Sequence, residues 1–116
     1  MKNPIYKIFT AYLIVLFLLL CSNKAFSQLS AIHFNADWNS ANNVSWFEKL
    51  SDVEKDNMDV GEGDCQKKYS IAIVPTIIIF NDGEEVKRYQ ADISFSIKAT
   101  KSQVQSKIDD VLMESF

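Results

Sequence analysis

Residues 76–80, Thr76-Ile77-Ile78-Ile79-Phe80, constrain the fold of this chain more than any other segment, because four large apolar residues follow one another with no polar residue between them. A strand with one wet face alternates apolar and polar positions, whereas a strand buried on both faces reads as a continuous apolar run. The run therefore predicts a central strand covered by helices. Asn81-Asp82-Gly83 follows it, and Asp-Gly supplies the positive φ angles of a tight reversal, so residues 85–89 are expected to return as an antiparallel strand. Glu85, Lys87 and Arg88 suit that strand to an exposed edge.

Upstream, Ile32 and Phe34 alternate with His33 and Asn35, the period of a half-buried strand over residues 30–36. Residues 39–43 are polar and turn-prone. Val44, Phe47 and Leu50 recur beyond them with Trp46 alongside, which predicts a helix over about residues 43–51, with Ser40 or Asn42 as its cap. Met58 and Val60 make residues 54–60 a weak strand candidate, and Gly61-Glu62-Gly63-Asp64 turns into a short helix over residues 65–69. Thr100-Lys101-Ser102-Gln103 has the form of a capping box, and Val104, Ile108, Val111 and Leu112 make one apolar stripe on the helix that follows. The order strand-helix-strand-helix-strand-strand-helix implies an α/β domain with a mixed sheet of about four strands flanked by helices.

The N-terminus reads as a targeting segment. Lys2 and Lys7 are basic, residues 8–20 are almost wholly apolar, and Ala25-Phe26-Ser27 before Gln28 resembles a signal-peptidase site. The expected organisation is a signal peptide at residues 1–27 and one domain at residues 28–116, exported to a periplasmic or extracellular space. The apolar run is shorter than the roughly 20 residues that cross a bilayer, which argues against an uncleaved anchor. Lipid attachment at Cys21 is the other reading, but Leu20 stands where that signal wants a small residue. Membrane association is expected only through such an uncleaved or lipidated N-terminus.

Removing residues 1–27 takes three lysines and no acid from a chain with 12 basic and 15 acidic side chains, and leaves a formal charge of −6. That balance repels phosphate backbones, and no basic cluster with interleaved aromatics offsets it, so nucleic acid is not an expected partner. Cys65 is the one cysteine after Ser27, so no internal disulfide is available to the exported domain. Glu48, Asp52, Glu54 and Asp56 fit a solvated face and match no calcium loop, and a lone His33 has no second histidine with which to share a metal. Neither a metal nor a cofactor is expected.

Three pieces in register, Phe34-Asn35-Ala36-Asp37-Trp38, Val74-Pro75-Thr76 ahead of the apolar strand, and Asn81-Asp82-Gly83-Glu84-Glu85-Val86, make residues 28–116 resemble the thioredoxin family. The resemblance is to a shortened version that begins at the family's second strand. It implies a cis bond before Pro75 that turns the backbone of Val74 toward a bound peptide, which would add as an extra strand.

The family's catalytic motif does not carry over. The resemblance gives Asn39 and Asn42 the two positions of the reactive cysteine pair. Dithiol exchange needs a thiolate at a helix N-terminus and a second thiol one turn on, and an amide can be neither. What remains is a helix start lined by Trp38, Asn39, Ser40, Ala41 and Asn42, facing Val74 and Pro75. These seven residues are the candidate binding site for a protein or peptide, and the expected function is that of a redox-inactive binding module. Core packing is the expected place of both Trp38 and Trp46; of the two, Trp38 is the better contact candidate, because the resemblance places it just before the active-site turn, where it is often partly exposed. Cys65 is the one weak catalytic candidate. Packed as a small hydrophobe it is inert; exposed beside Lys67 and Lys68 it would serve a one-cysteine oxidoreductase or redox sensor.

Overall fold

The computed structural model describes residues 28–114. The signal-peptide, anchor and Cys21 readings lie outside these residues. Strand β1 (Leu29–Asn35) is followed by two 3-10 segments (Asp37–Asn42 and Phe47–Lys49), β2 (Glu54–Asp59), a short helix α1 (Cys65–Lys68), β3 (Thr76–Asn81), β4 (Glu84–Gln90) and helix α2 (Lys101–Glu114). The sheet has four strands in the order β2-β1-β3-β4. β1 runs parallel to β2 and antiparallel to β3, and β3 runs antiparallel to β4, so the sheet is mixed as the element order implies.

The apolar run is buried on both faces for the reason the sequence suggests. Ile77 and Ile79 point to one side, where they meet Leu29, Ala31, Phe47, Leu50 and the α2 stripe of Val104, Ile108 and Val111. Ile78 and Phe80 point to the other, with Phe34, Ala36, Ile71 and Val74. Each such side chain contributes about 1.5–3 kcal/mol relative to exposure, so this strand anchors both layers. On the second face Tyr69 packs its ring on Phe34 and on Phe80, at centroid distances of 5.1 and 5.8 Å, and covers what α1 is too short to reach.

The local signals at the chain reversals act as written. Asp82 and Gly83 take φ of 53° and 84°, and Asn81 pairs with Glu84 across the turn, a two-residue hairpin with both central residues left-handed. Thr100 Oγ1 accepts from the Gln103 N–H at 3.2 Å while Gln103 Oε1 accepts from the Thr100 N–H at 2.9 Å, which completes the capping box of α2.

The helix expected over residues 43–51 is the principal departure. Asn43 is extended, with φ −54° and ψ 142°, and the helical piece between it and residue 51 is the three-residue 3-10 turn Phe47–Lys49. Val44, Phe47 and Leu50 are spaced by three, which is the repeat of a 3-10 helix as much as one edge of an α-helical stripe. The backbone follows that spacing: Phe47 N–H donates to Val44 O, and Leu50 N–H to Phe47 O. Phe47 and Leu50 are still buried, and Val44 and Trp46 pack against the same cluster, so the apolar residues reach the core without an α-helix. Neither Ser40 nor Asn42 caps this turn; the residue before it is Trp46, without a side-chain cap bond.

Candidate functional site

The candidate site is built where β1 ends. Asn35, the last residue of β1, and Asn39 are both buried, and the chain between them swings outward through Asp37 and Trp38. Asn39 breaks the first 3-10 segment, with φ −112° and ψ 18°, and this kink turns its side chain inward while leaving Trp38 70 % exposed.

The Asn39 side chain occupies the position that the resemblance gives to a nucleophilic thiol, and its amide joins four parts of the chain. Nδ2 lies 3.1 Å from Asn35 Oδ1, 3.1 Å from the Phe95 carbonyl and 3.4 Å from the Val74 carbonyl, while Oδ1 accepts from Asn42 Nδ2 at 2.8 Å. Asn35 Nδ2 in turn donates to the Asn39 carbonyl at 3.1 Å and to Asn43 Oδ1. Two amide hydrogens are thus shared among three carbonyl oxygens, the longest contact being the one to Val74. Buried amides keep their place only when partnered in this way. Asn42, Ser40 and Ala41 are exposed around the network.

Val74 and Pro75 lie beneath. The peptide bond between them is cis. Val74 is 5 % exposed and Pro75 is fully buried. The Pro75 carbonyl accepts from the Ala91 N–H at 3.0 Å, and Thr76 Oγ1 donates to the Ile73 carbonyl at 2.6 Å, which fixes the segment on both sides. The Val74 N–H has no acceptor among the described residues.

Sequence reasoning missed Phe95. The loop after β4 is folded by its own polar groups: Asp92 Oδ1 accepts from the Ser94 N–H at 2.9 Å and from the Ser94 hydroxyl, and the Phe95 N–H donates to the Asp92 carbonyl at 3.0 Å. The two Ser94 bonds hold the Asp92 carboxyl below the usual carboxylate range. Phe95 takes a left-handed φ of 60° at this turn and sets its ring against Trp38, at 5.3 Å between centroids with the planes at 83°. Ile93 is exposed on the same loop. The run Ile93-Ser94-Phe95-Ser96-Ile97, large apolar residues alternating with serines, was the available signal; Ile97 packs against the core, while Ile93 and Phe95 stay exposed.

His33 lies one turn of the pleat below Asn35 and performs a structural task. The Val44 N–H donates to its Nε2 at 3.4 Å, so the proton of the neutral ring sits on Nδ1 and goes to Asn57 Oδ1 at 2.9 Å. Asn57 Nδ2 then donates to Glu48 Oε1 at 2.8 Å. Burial lowers the pKa of His33, against the opposing pull of the Asn57 hydrogen bond and the Glu48 charge. The ring also packs on Phe47 at 5.4 Å.

Cys65 opens α1, partly buried against the Phe34 cluster, and its thiol donates to the Asp59 carbonyl at 3.2 Å. Lys68 lies over the Tyr69 ring at 5.3 Å. Among the described residues no group of three or more His, Cys, Asp and Glu side chains is arranged to hold a metal ion, and no helix is long and apolar enough to cross a membrane.

No family model matches the chain, and neither does any curated protein sequence. Solved structures do. A mutant thioredoxin from Halobacterium salinarum superposes with a TM-score of 0.57 at 21 % identity, covering 72 % of this chain and 74 % of that one. Thioredoxin-2 of a malaria parasite gives 0.56 at 16 % identity over 72 % and 84 %, and the oxidised thioredoxin of Plasmodium falciparum gives 0.51 at 17 % over 73 % and 82 %. At these identities the likeness speaks to architecture, and the chain has a thioredoxin fold.

Proposed function

We propose that this chain is an exported, redox-inactive thioredoxin-fold module that binds a protein or peptide segment where Trp38 and Phe95 border Val74 and Pro75. The observation that carries the reading is the Val74 N–H, a donor without an acceptor among the described residues, in a segment that Asn39 ties to the Phe95 loop, whose ring meets an indole that is 70 % exposed. A bound extended segment would supply a carbonyl to that N–H and an apolar side chain to the aromatic pair. The Val74 carbonyl, held loosely by Asn39, is the second point of attachment. Ser40, Ala41 and Asn42 form the exposed rim, and Asn39 supports them from below.

Chemistry supports redox inactivity: Asn39 and Asn42 hold no exchangeable electrons, and dithiol exchange has no second thiol after Ser27. Against a thiol enzyme built on Cys65 stand its packing beside Phe34 and its bond to Asp59. Export rests on the basic start, the apolar residues 8–20 and the small-residue site before Gln28.

The full chain is tested for reduction of insulin disulfides in the presence of dithiothreitol, beside Cys65→Ala. Equal, background-level rates are expected, and turnover that depends on Cys65 overturns the redox-inactive reading. In a peptide-array screen, spots bound by the wild type are expected to lose about 90 % of their signal with Trp38→Ala, as for a central aromatic contact. Binding indifferent to both Trp38→Ala and Phe95→Ala refutes the surface.

A further inference from the structure

Resting on that reading of the site, we infer that the segment it takes is cationic: an extended peptide in which a lysine or arginine neighbours an apolar residue. Two depressions that meet at Asp37, one of them bordered by Trp38, share one sign of charge. The smaller, of about 350 Å³, is bordered by Trp38 itself with Asp37, Asp59 and Glu62, and no Lys or Arg lines it. The larger, of about 650 Å³, shares the same three carboxylates, adds Glu48, and again has no Lys or Arg, its one imidazole being the neutral His33.

These carboxylates differ in how far they are already engaged. Asp59 Oδ1 accepts from the Gly61 N–H at 2.8 Å and Glu48 Oε1 from Asn57. The side chains of Asp37 and Glu62 have neither a hydrogen-bond nor an ion-pair partner among the described residues. The ion pairs there, Arg88 with Glu85 and Lys98 with Asp92, involve none of the four. A negative field without internal compensation attracts a cation and repels an acidic segment.

The indole adds a second attraction of the same sign. Phe95 meets Trp38 edge to face, a contact that occupies at most one face of the indole, and the exposure of Trp38 shows that much of the ring stays open. A guanidinium or ammonium over that ring gains a cation–π contact while it faces Asp37 or Glu62. The neighbouring apolar side chain of the peptide then meets Phe95, and the peptide backbone reaches the Val74 N–H. A purely apolar segment would use only the aromatic pair, and an acidic one would meet like charge.

The test is calorimetric titration of the full chain with three peptides of equal length, each with leucines alternating with lysine, glutamine or glutamate. The lysine peptide is expected to bind about tenfold tighter than the glutamine peptide, since two solvent-exposed charge contacts act together, and the glutamate peptide weaker still. Asp37→Asn with Glu62→Gln, both on the surface, is expected to bring the lysine and glutamine peptides within about twofold of each other. Raising the salt from about 0.05 to about 0.5 M is expected to have the same effect by screening. Equal binding of the lysine and glutamine peptides, or a preference that survives the double substitution, overturns the cationic selectivity and leaves the peptide site standing. Failure of all three peptides to bind overturns the peptide site as well.

Discussion

Asn39 and Asn35 are bonded to each other twice: Asn39 Nδ2 donates to Asn35 Oδ1, and Asn35 Nδ2 donates to the Asn39 carbonyl, each at 3.1 Å. Both residues are buried, at 5 % and 7 % exposure, so neither amide has water to fall back on. Through the Phe95 carbonyl the same pair also holds the loop that carries the aromatic contact.

Removing the Asn39 side chain leaves Asn35 Oδ1 without its donor and frees the Phe95 loop. Asn39→Ala is expected to lower unfolding stability by about 2–4 kcal/mol, as a buried amide leaves more than one partner unsatisfied. Asn42→Ala, which deletes one bond from an exposed residue, is expected to cost about 0.5–1 kcal/mol. Urea unfolding of the two variants checks the order, and equal costs would mean that the network does not support the fold.

His33 makes stability depend on pH. Its pKa is lowered in the folded state, so below its ordinary value of 6.5 the unfolded chain binds the proton more readily. The contribution of the neutral ring is therefore fully present above pH 6.5 and is lost as the pH falls through the lowered folded value. The slope contributed by one such group approaches about 1.4 kcal/mol per pH unit. His33→Gln keeps a donor and an acceptor without a titrating ring. Between pH 7.5 and pH 5.5, roughly the range of a histidine, wild type is expected to lose more stability than His33→Gln in paired urea titrations. Parallel losses would show that His33 charges freely in the fold.

The thiol of Cys65 is expected to alkylate at neutral pH at less than about one-tenth of its rate in the urea-unfolded chain, because it packs beside Phe34 and donates to Asp59. Mass spectrometry of an iodoacetamide time course reads the rate at this residue. Reaction as fast in the folded chain as in the unfolded one would return Cys65 to consideration as a reactive group.

Gly83 and Gly61 separate backbone strain from crowding. At Gly83 a Cβ meets nothing within 4 Å, yet its φ is 84°, so Gly83→Ala is expected to cost about 1–2 kcal/mol through conformation alone. At Gly61 φ is not left-handed, and a Cβ would lie 3.2 Å from Asp59 Oδ1, which belongs to a side chain able to shift. Gly61→Ala is expected to cost less than Gly83→Ala by thermal melting. The reverse order would place the strain in the Gly61 loop instead.

Much of this fold is legible in the sequence because its signals are local. Five adjacent residues reveal the buried strand, Asp82-Gly83 the hairpin, and Thr100 with Gln103 the start of α2. Where the residues were ambiguous, the reading failed for a physical reason: the spacing of Val44, Phe47 and Leu50 satisfies two helical periods, and tertiary bonds to Asn43 and Val44 select the tighter one. The site was less legible. Core packing is the expectation for Trp38, which is instead 70 % exposed because the kink at Asn39 swings it outward, and the burial of Asn39 depends on carbonyls 35 and 56 positions away, at Val74 and Phe95. The pairing of His33 with Asn57 likewise depends on the parallel register of β1 and β2, which no local pattern specifies.

The amide network also determines how this corner of the molecule responds to its chemical surroundings. In a protein whose peptide-facing turn contains a dithiol, the turn exists in two covalent forms, and the ambient ratio of oxidant to reductant selects between them. Asn35, Asn39 and Asn42 are joined by hydrogen bonds alone, which neither gain nor lose electrons. The seating of Trp38 and Phe95 above them is consequently expected to be the same in a reducing compartment as in an oxidising one.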